Sequence, residues 1–252
     1  MPPIAANVVT ESGPIPRRPA MPARRRVHQF YLGVTILLIG MVGVGFWPGY
    51  FGPLVRGGVT RPWIIHLHGA VFSGWMALLL LQVVLAATER VRLHRRVGNI
   101  GIAYGVLVLG LGIVVSFAAP AIHVRTGEWT VDRAAAFMLL PLVDMILFAG
   151  FFGVAVAYRR KPEVHKRLIL AATVALAFAG AARMSFQSPF VFLVVWLSPM
   201  VVALAFDVVT RGRVHMVNVV STGVLAAAFV RIFYQESETW LVIGRALLTP
   251  WL

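Results

Sequence analysis

The chain has 252 residues, 59% of them hydrophobic and 13% charged, where a soluble domain carries roughly 25% charged residues. So little polar surface cannot coat a globule in water, and the absence of cysteine excludes thiolate metal sites, iron–sulfur clusters and disulfides. The formal net charge of +14 is scattered over short segments between apolar runs, which is the pattern of membrane topology and argues against a nucleic-acid partner.

Residues 1–27 are rich in Pro and Ala, show no helical period and read as a flexible tail. Arg24, Arg25 and Arg26 ahead of an apolar run resemble a signal-peptide n-region. Phe46-Trp47-Pro48-Gly49 is no small-residue cleavage site, however, so the first span reads as an uncleaved anchor. Crossing a hydrocarbon core of about 30 Å takes about 20 apolar residues in a helix. Seven runs meet that demand: Phe30–Trp47, Trp63–Ala87, Val97–Ala119, Ala134–Tyr158, Leu168–Phe186, Phe190–Thr210 and Met216–Phe233. Pro62, Pro162 and Pro189 suit first-turn positions, Asp132 and Ser188 suit N-caps, and Pro120 is expected to close the third span. Pro141 and Pro199 fall inside spans. The expected fold is an all-α transmembrane bundle over residues 28–235, anchored by Trp47, Trp63 and Trp129. A tail at 236–252 follows, whose apolar part is short enough to lie along the interface as a helix.

Basic residues set the orientation. The amino-terminal tail and the second–third, fourth–fifth and sixth–seventh loops hold most of them, including Arg90 to Arg96, Arg159 to Arg167, Arg211 and Arg213. The richer side is expected to be cytoplasmic, which places the carboxyl terminus outside the inner (plasma) membrane of a bacterium. Leu93-His94-Arg95-Arg96-Val97 matches Val164-His165-Lys166-Arg167-Leu168, with Val214-His215 a weaker echo. Spans two–three, four–five and six–seven therefore read as three repeated hairpins behind one extra helix.

Polar residues within or beside the spans are the candidate sites. His66 and His68 sit two residues apart, so they point about 200° from one another on a helix. His66 shares a stripe with Ala70, Ser73 and Ala77, a small face suited to packing, and His68 shares one with Phe72, Trp75 and Gln82. Either is a candidate metal ligand, with His123 a third for a zinc site. His94 and His165 open outward-running helices at matched depth, and Gly98, Gly101, Gly105 and Gly112 below His94 favour spans three and five as neighbours. Two such imidazoles are candidate ligands of a b-type haem, with Arg95, Arg96, Lys166 and Arg167 meeting its propionates or, in its absence, lipid headgroups. Asp144 lies near the middle of span four, where a carboxylate should face the interior, with Ser73 at similar depth and Arg183 as a partner from the outer leaflet. Asp207, four residues before Arg211, reads as half of a helix-surface ion pair.

The string His66-Leu67-His68-Gly69 with Trp75 and Gln82, followed by the His94 and His165 motifs, resembles a group of uncharacterised bacterial polytopic membrane proteins over about residues 28–185. It is loosely similar to cytochrome b561-type bundles, which implies haem ligation by histidines near the membrane faces, but span four here contains no histidine. Four functions remain open on the sequence. They are an accessory protein binding a small ligand (lipid, quinone or haem) without its own catalysis, a haem electron-transfer protein, a proton-coupled transporter around Asp144, and a metal-dependent membrane enzyme. The partners expected are the bilayer, its anionic cytoplasmic headgroups and the other subunits of a larger membrane complex.

Overall fold

A computed structural model describes residues 21–58, 61–184 and 188–252, and among these there is no strand. Seven helices are long and apolar enough to cross a membrane. They are α1 (Met21–Phe46), α2 (Trp63–Ala87), α3 (Val91–Arg125), α4 (Val131–Ala157), α5 (Pro162–Ala182), α6 (Pro189–Arg211) and α7 (Met216–Ala228), the last reaching the needed length with the residues that follow it to Tyr234. A π-helical turn at Trp47–Phe51 and a short turn of helix at Gly52–Val55 extend α1, and a turn at Arg231–Tyr234 extends α7. An eighth helix, α8 (Glu238–Leu248), packs against α4, and the closing turn Thr249–Trp251 reaches α3, where Trp251 stacks on Phe117.

The seven expected spans are all present, with four local differences. α1 opens at Met21, inside the segment read as tail; residues 1–20 of that segment lie outside the described residues. α3 runs through Pro120 to Arg125, since a membrane helix tolerates a missing N–H where its neighbours enclose the gap, and Pro120 is buried. α5 stops at Ala182 with Arg183 as its C-cap. The N-cap of α4 is Thr130, whose hydroxyl accepts from the Arg133 N–H at 3.2 Å, while Asp132 points away to the Arg245 Nε at 2.6 Å. Ser188 does take the N-cap position of α6, without a side-chain bond.

α5 is the pillar of the bundle, packed against α1, α4, α6 and α7. Its sequence explains this. Ala171, Ala172, Ala175, Ala177 and Ala181 are wholly buried, and such small side chains let other backbones approach where lipid offers no hydrophobic drive. The closest approach is at Gly45 of α1, which lies against the Gly180 backbone. Two indoles add polar ties: Trp196 Nε1 donates to the Val174 carbonyl at 2.8 Å, and Trp75 Nε1 to Thr173 Oγ1 at 3.3 Å. The consecutive pairs α2–α3, α4–α5 and α6–α7 each pack together, as the hairpin reading requires.

The ends of the bundle define two faces. The amino-terminal face carries the start of α1 and the α2–α3, α4–α5 and α6–α7 turns, and the far face carries the rest. In the α2–α3 turn Glu89 occupies the left-handed region (φ 57°), the only residue other than glycine to do so among the described residues.

Candidate functional site

The repeated histidines close their own hairpins. His165 Nδ1–H donates to the carbonyl of Ala155, ten residues earlier on α4, at 2.8 Å. His94 Nδ1 lies 3.3 Å from the carbonyl of Gln82, twelve residues earlier on α2. With its nitrogen toward the ring, the Gln82 amide donates to His94 Nδ1 at 2.6 Å and its oxygen accepts from the Gly98 N–H at 2.9 Å. That orientation leaves the ring proton on Nε2 and takes away the lone pair a metal needs there. His215 ends the third hairpin in the same place: its N–H donates to Asp207 Oδ2 at 3.1 Å, and its Nδ1 accepts from the Val217 N–H at 3.2 Å, capping α7. Burial, and then the positive charge of Arg167, hold the His215 imidazole below its ordinary pKa, which keeps Nδ1 free to accept.

The haem and headgroup partners named with these histidines are largely engaged elsewhere. Arg167 is buried, donating to Asp207 Oδ1 at 2.5 Å and Glu163 Oε2 at 2.7 Å, and Lys166 donates to Glu163 Oε1 at 2.6 Å. Asp207 is the hub of this network and not half of a surface pair. It is 1% exposed and also accepts from Asn218 Nδ2 at 2.8 Å, with Arg211 further out at 3.8 Å. Only Arg95 and Arg96 remain exposed. The glycine stripe of α3 does seat close neighbours, but they come from α2 (Leu78 and Gln82) and α4 (Phe152 and Met145), not from α5. His94 and His165 belong to different hairpins, each ring bound to its own preceding helix, and lack free propionate partners from α5. The set does not fit a haem.

Asp144 does face the interior, and its partner is Arg231, not Arg183. Both side chains are buried, and the guanidinium lies 4.0 Å over the Phe178 ring and 5.7 Å from that of Trp196. Arg183 instead turns outward at the end of α5, 4.3 Å over Phe46 and bonded to the Ala179 carbonyl at 2.8 Å. The His66 stripe is not a packing face either. Ala70, Ser73 and Ala77 are exposed, because Val71, Trp75 and Leu79 on the other side of α2 fill the core. His66 Nδ1 meets the Tyr50 hydroxyl at 3.0 Å, while the His68 ring lies tilted against Phe72, centroids 4.1 Å apart, with its Nδ1 buried and unpartnered. His123 pairs with Glu128 at 2.7 Å, and that bond holds the Glu128 carboxyl below its usual range. No group of three or more His, Asp or Glu among the described residues is placed to hold a metal.

What the amino-terminal face does offer is a groove of about 800 Å³ between the start of α1 and the end of α2. Arg24, Arg25, Arg26 and His28 line it, Leu32 and Ala87 add an apolar wall, and Glu89 enters from the α2–α3 turn. Arg24 Nη1 donates to Glu89 Oε1 at 3.1 Å, both side chains being more than half exposed. Three guanidiniums and one carboxylate leave this groove cationic, beside apolar surface at the end of a membrane bundle. The three arginines stood out in the sequence only as a leader-like run. Their grouping with Glu89 depends on α1 beginning before the apolar stretch. Arg231 was legible in principle, since an acid and a base each inside an apolar span are expected to pair.

Comparison with family models, with curated proteins and with solved structures returns no match to this chain. The class of protein therefore follows from the fold. It is an integral, multi-pass membrane protein, an all-α bundle of seven apolar helices.

Proposed function

We propose that this is an accessory protein of a bacterial inner membrane, without catalysis of its own, that holds the phosphate headgroup of an anionic lipid in the Arg24–Arg26 groove. The amino-terminal face is then the cytoplasmic one, the carboxyl terminus is external, and no nucleic acid is a partner. The bundle serves as a lipid-binding subunit of a larger membrane complex. The observation that carries this reading is the groove itself, which Arg24, Arg25 and Arg26 line beside the apolar Leu32 and Ala87. A guanidinium is a fork for phosphate oxygens, and an apolar wall at the same depth suits the glycerol end of the acyl chains. Basic pockets at the cytoplasmic ends of membrane helices recognise lipid headgroups on this principle.

Each basic residue near an anionic surface contributes about 1 kcal/mol, so three contribute about 3 kcal/mol, or roughly a hundredfold in affinity. Native mass spectrometry of the detergent-purified chain, with phosphatidylglycerol and phosphatidylcholine in competition, measures this. Preferential retention of phosphatidylglycerol is expected, and the combined Arg24→Gln, Arg25→Gln, Arg26→Gln variant should lose it. Equal retention of both lipids by the unaltered chain would refute the reading.

A further inference from the structure

The bundle holds two buried Arg–Asp pairs, and they are built differently. Arg167 spreads both Nη atoms over Glu163 and Asp207, and Asp207 takes further N–H donors from His215 and Asn218. Arg231 donates through Nη2 alone, to Asp144 Oδ1, while its Nε and Nη1 are buried and meet no acceptor among the described residues. Buried donors are nearly always paired, so unpaired ones on a guanidinium mark a place for an acceptor. A buried water takes about three polar partners, whereas the rings of Phe178 and Trp196 lie against this guanidinium; a small anion needs only donors.

A guanidinium grips anions through two forks, Nη2 with Nε along its edge and Nη2 with Nη1 at its end. Asp144 holds the nitrogen common to both. The pair is neutral as it stands, so an anion entering alone would leave a net negative charge in the interior, which is strongly unfavourable. A proton from solvent on the Asp144 carboxylate cancels that charge and loosens the hold on Nη2, which completes a fork. We propose that Arg231 is the binding group for a small monovalent anion, and that Asp144 takes up one proton as the anion binds. This is independent of the headgroup reading.

The pair lies where both of its helices are interrupted. Pro141, about one turn before Asp144, removes the N–H that would bond the Phe137 carbonyl, and α7 ends at Ala228 to resume at Arg231. A far-face groove of about 660 Å³ is lined by Arg133 and Phe137 of α4 and by Gln235, whose N–H bonds the Arg231 carbonyl. Phe137 stands about two turns of α4 from Asp144. Other charged groups on the surrounding helices lie at their ends. Arg183 of α5 turns out over Phe46, and Asp207 and Arg211 of α6 sit at the opposite face. His123 of α3 is held by Glu128, and Asp132 of α4 by Arg245 of α8. Asp144 and Arg231 therefore answer chiefly to one another.

The test titrates the full chain in detergent, at low buffer strength, with sodium chloride and with sodium gluconate at matched ionic strength. Chloride should drive uptake of close to one proton per chain, and the bulky gluconate none. On the alkaline side, apparent chloride affinity should fall about tenfold per pH unit, the slope of one linked proton. Asp144→Asn supplies a permanently neutral partner, so its chloride affinity should not change with pH and no proton should be taken up. Chloride at about a hundredfold above its Kd should raise the Tm of that variant by about 5–10 °C. Adding Arg231→Gln to it should abolish the response. Chloride binding without proton uptake, no chloride binding at any pH, or a response that survives the loss of Arg231 would overturn the proposal. The proton count needs no variant, so it decides even if Asp144→Asn fails to fold.

Discussion

The α1–α5 crossing lends itself to a sharp perturbation, because one helix carries both the test and its control. A Cβ added at Gly45 would lie 2.7 Å from the Gly180 carbonyl carbon, 3.0 Å from its Cα, and closer still to its oxygen. Comfortable carbon–carbon separation is about 3.5–4.0 Å, so the helices must part by close to 1 Å, and a gap of that size forfeits up to about half the dispersion energy of each flanking contact. The obstacle is backbone, which no rotamer change relieves, so the overpacking cost belongs near the upper end of the usual range, about 3 kcal/mol. Alanine returns about 1 kcal/mol through its helix propensity, leaving a net loss of about 2 kcal/mol. At Gly43, two residues away, a Cβ meets nothing within 4 Å, so Gly43→Ala keeps the propensity gain without the clash. The two variants should differ by about 3 kcal/mol, or roughly 6–12 °C in Tm for a chain of this size. Thermal unfolding of both in the same detergent, followed by intrinsic tryptophan fluorescence, measures the difference. Equal midpoints would refute the argument, since they would mean that α1 and α5 do not meet backbone to backbone at this point.

Two further predictions concern buried charge and pH. Arg231→Met alone, or Asp144→Leu alone, leaves an uncompensated charge in the bundle and should cost about 3–5 kcal/mol, while the double variant should recover most of that loss, as a thermal double-mutant cycle will read. The cap at the start of α7 is formed by neutral His215, whose folded pKa lies below the ordinary value, so its contribution is complete above about pH 6.5 and is lost as pH falls through the depressed value. Hydrogen exchange at the Val217 amide should therefore accelerate on acidification beyond the intrinsic trend, and His215→Asn, which can still accept through its side-chain oxygen, should remove that excess.

Periodicity and charge placement made the seven helices legible, because an apolar run of about 20 residues admits few other structures and the basic loops alternate face by face. The hairpin repeat was legible as a motif, and the structure supplies its physical reason: each histidine ties the start of a returning helix to the helix before it. Sequence spacing could not say which side of α2 packs inward. The small stripe of His66 and the aromatic stripe of His68 are each suited to packing, and the decision came from how Trp75 meets Phe148 and Phe152 across the bundle. Nor could it choose Arg231, 87 positions away, over Arg183 as the partner of Asp144, or turn Asp207 from a surface acid into a buried hub, because both depend on which helices surround α5.

The composition of α5 also bears on how the protein is made. It has the lowest mean hydropathy of the seven helices and the largest buried share. An alanine-rich segment that opens on Glu163, His165, Lys166 and Arg167 gains less from entering lipid by itself than one rich in leucine, isoleucine, valine and phenylalanine. α5 is therefore poorly suited to leaving the insertion machinery as an independent unit. It needs α1 and α4 already in the membrane to receive it, and α6 and α7 arriving behind to enclose it. The bundle then closes around α5 only as its later helices arrive, and an error in any neighbour of α5 should be felt first as failed integration and only later as lost stability.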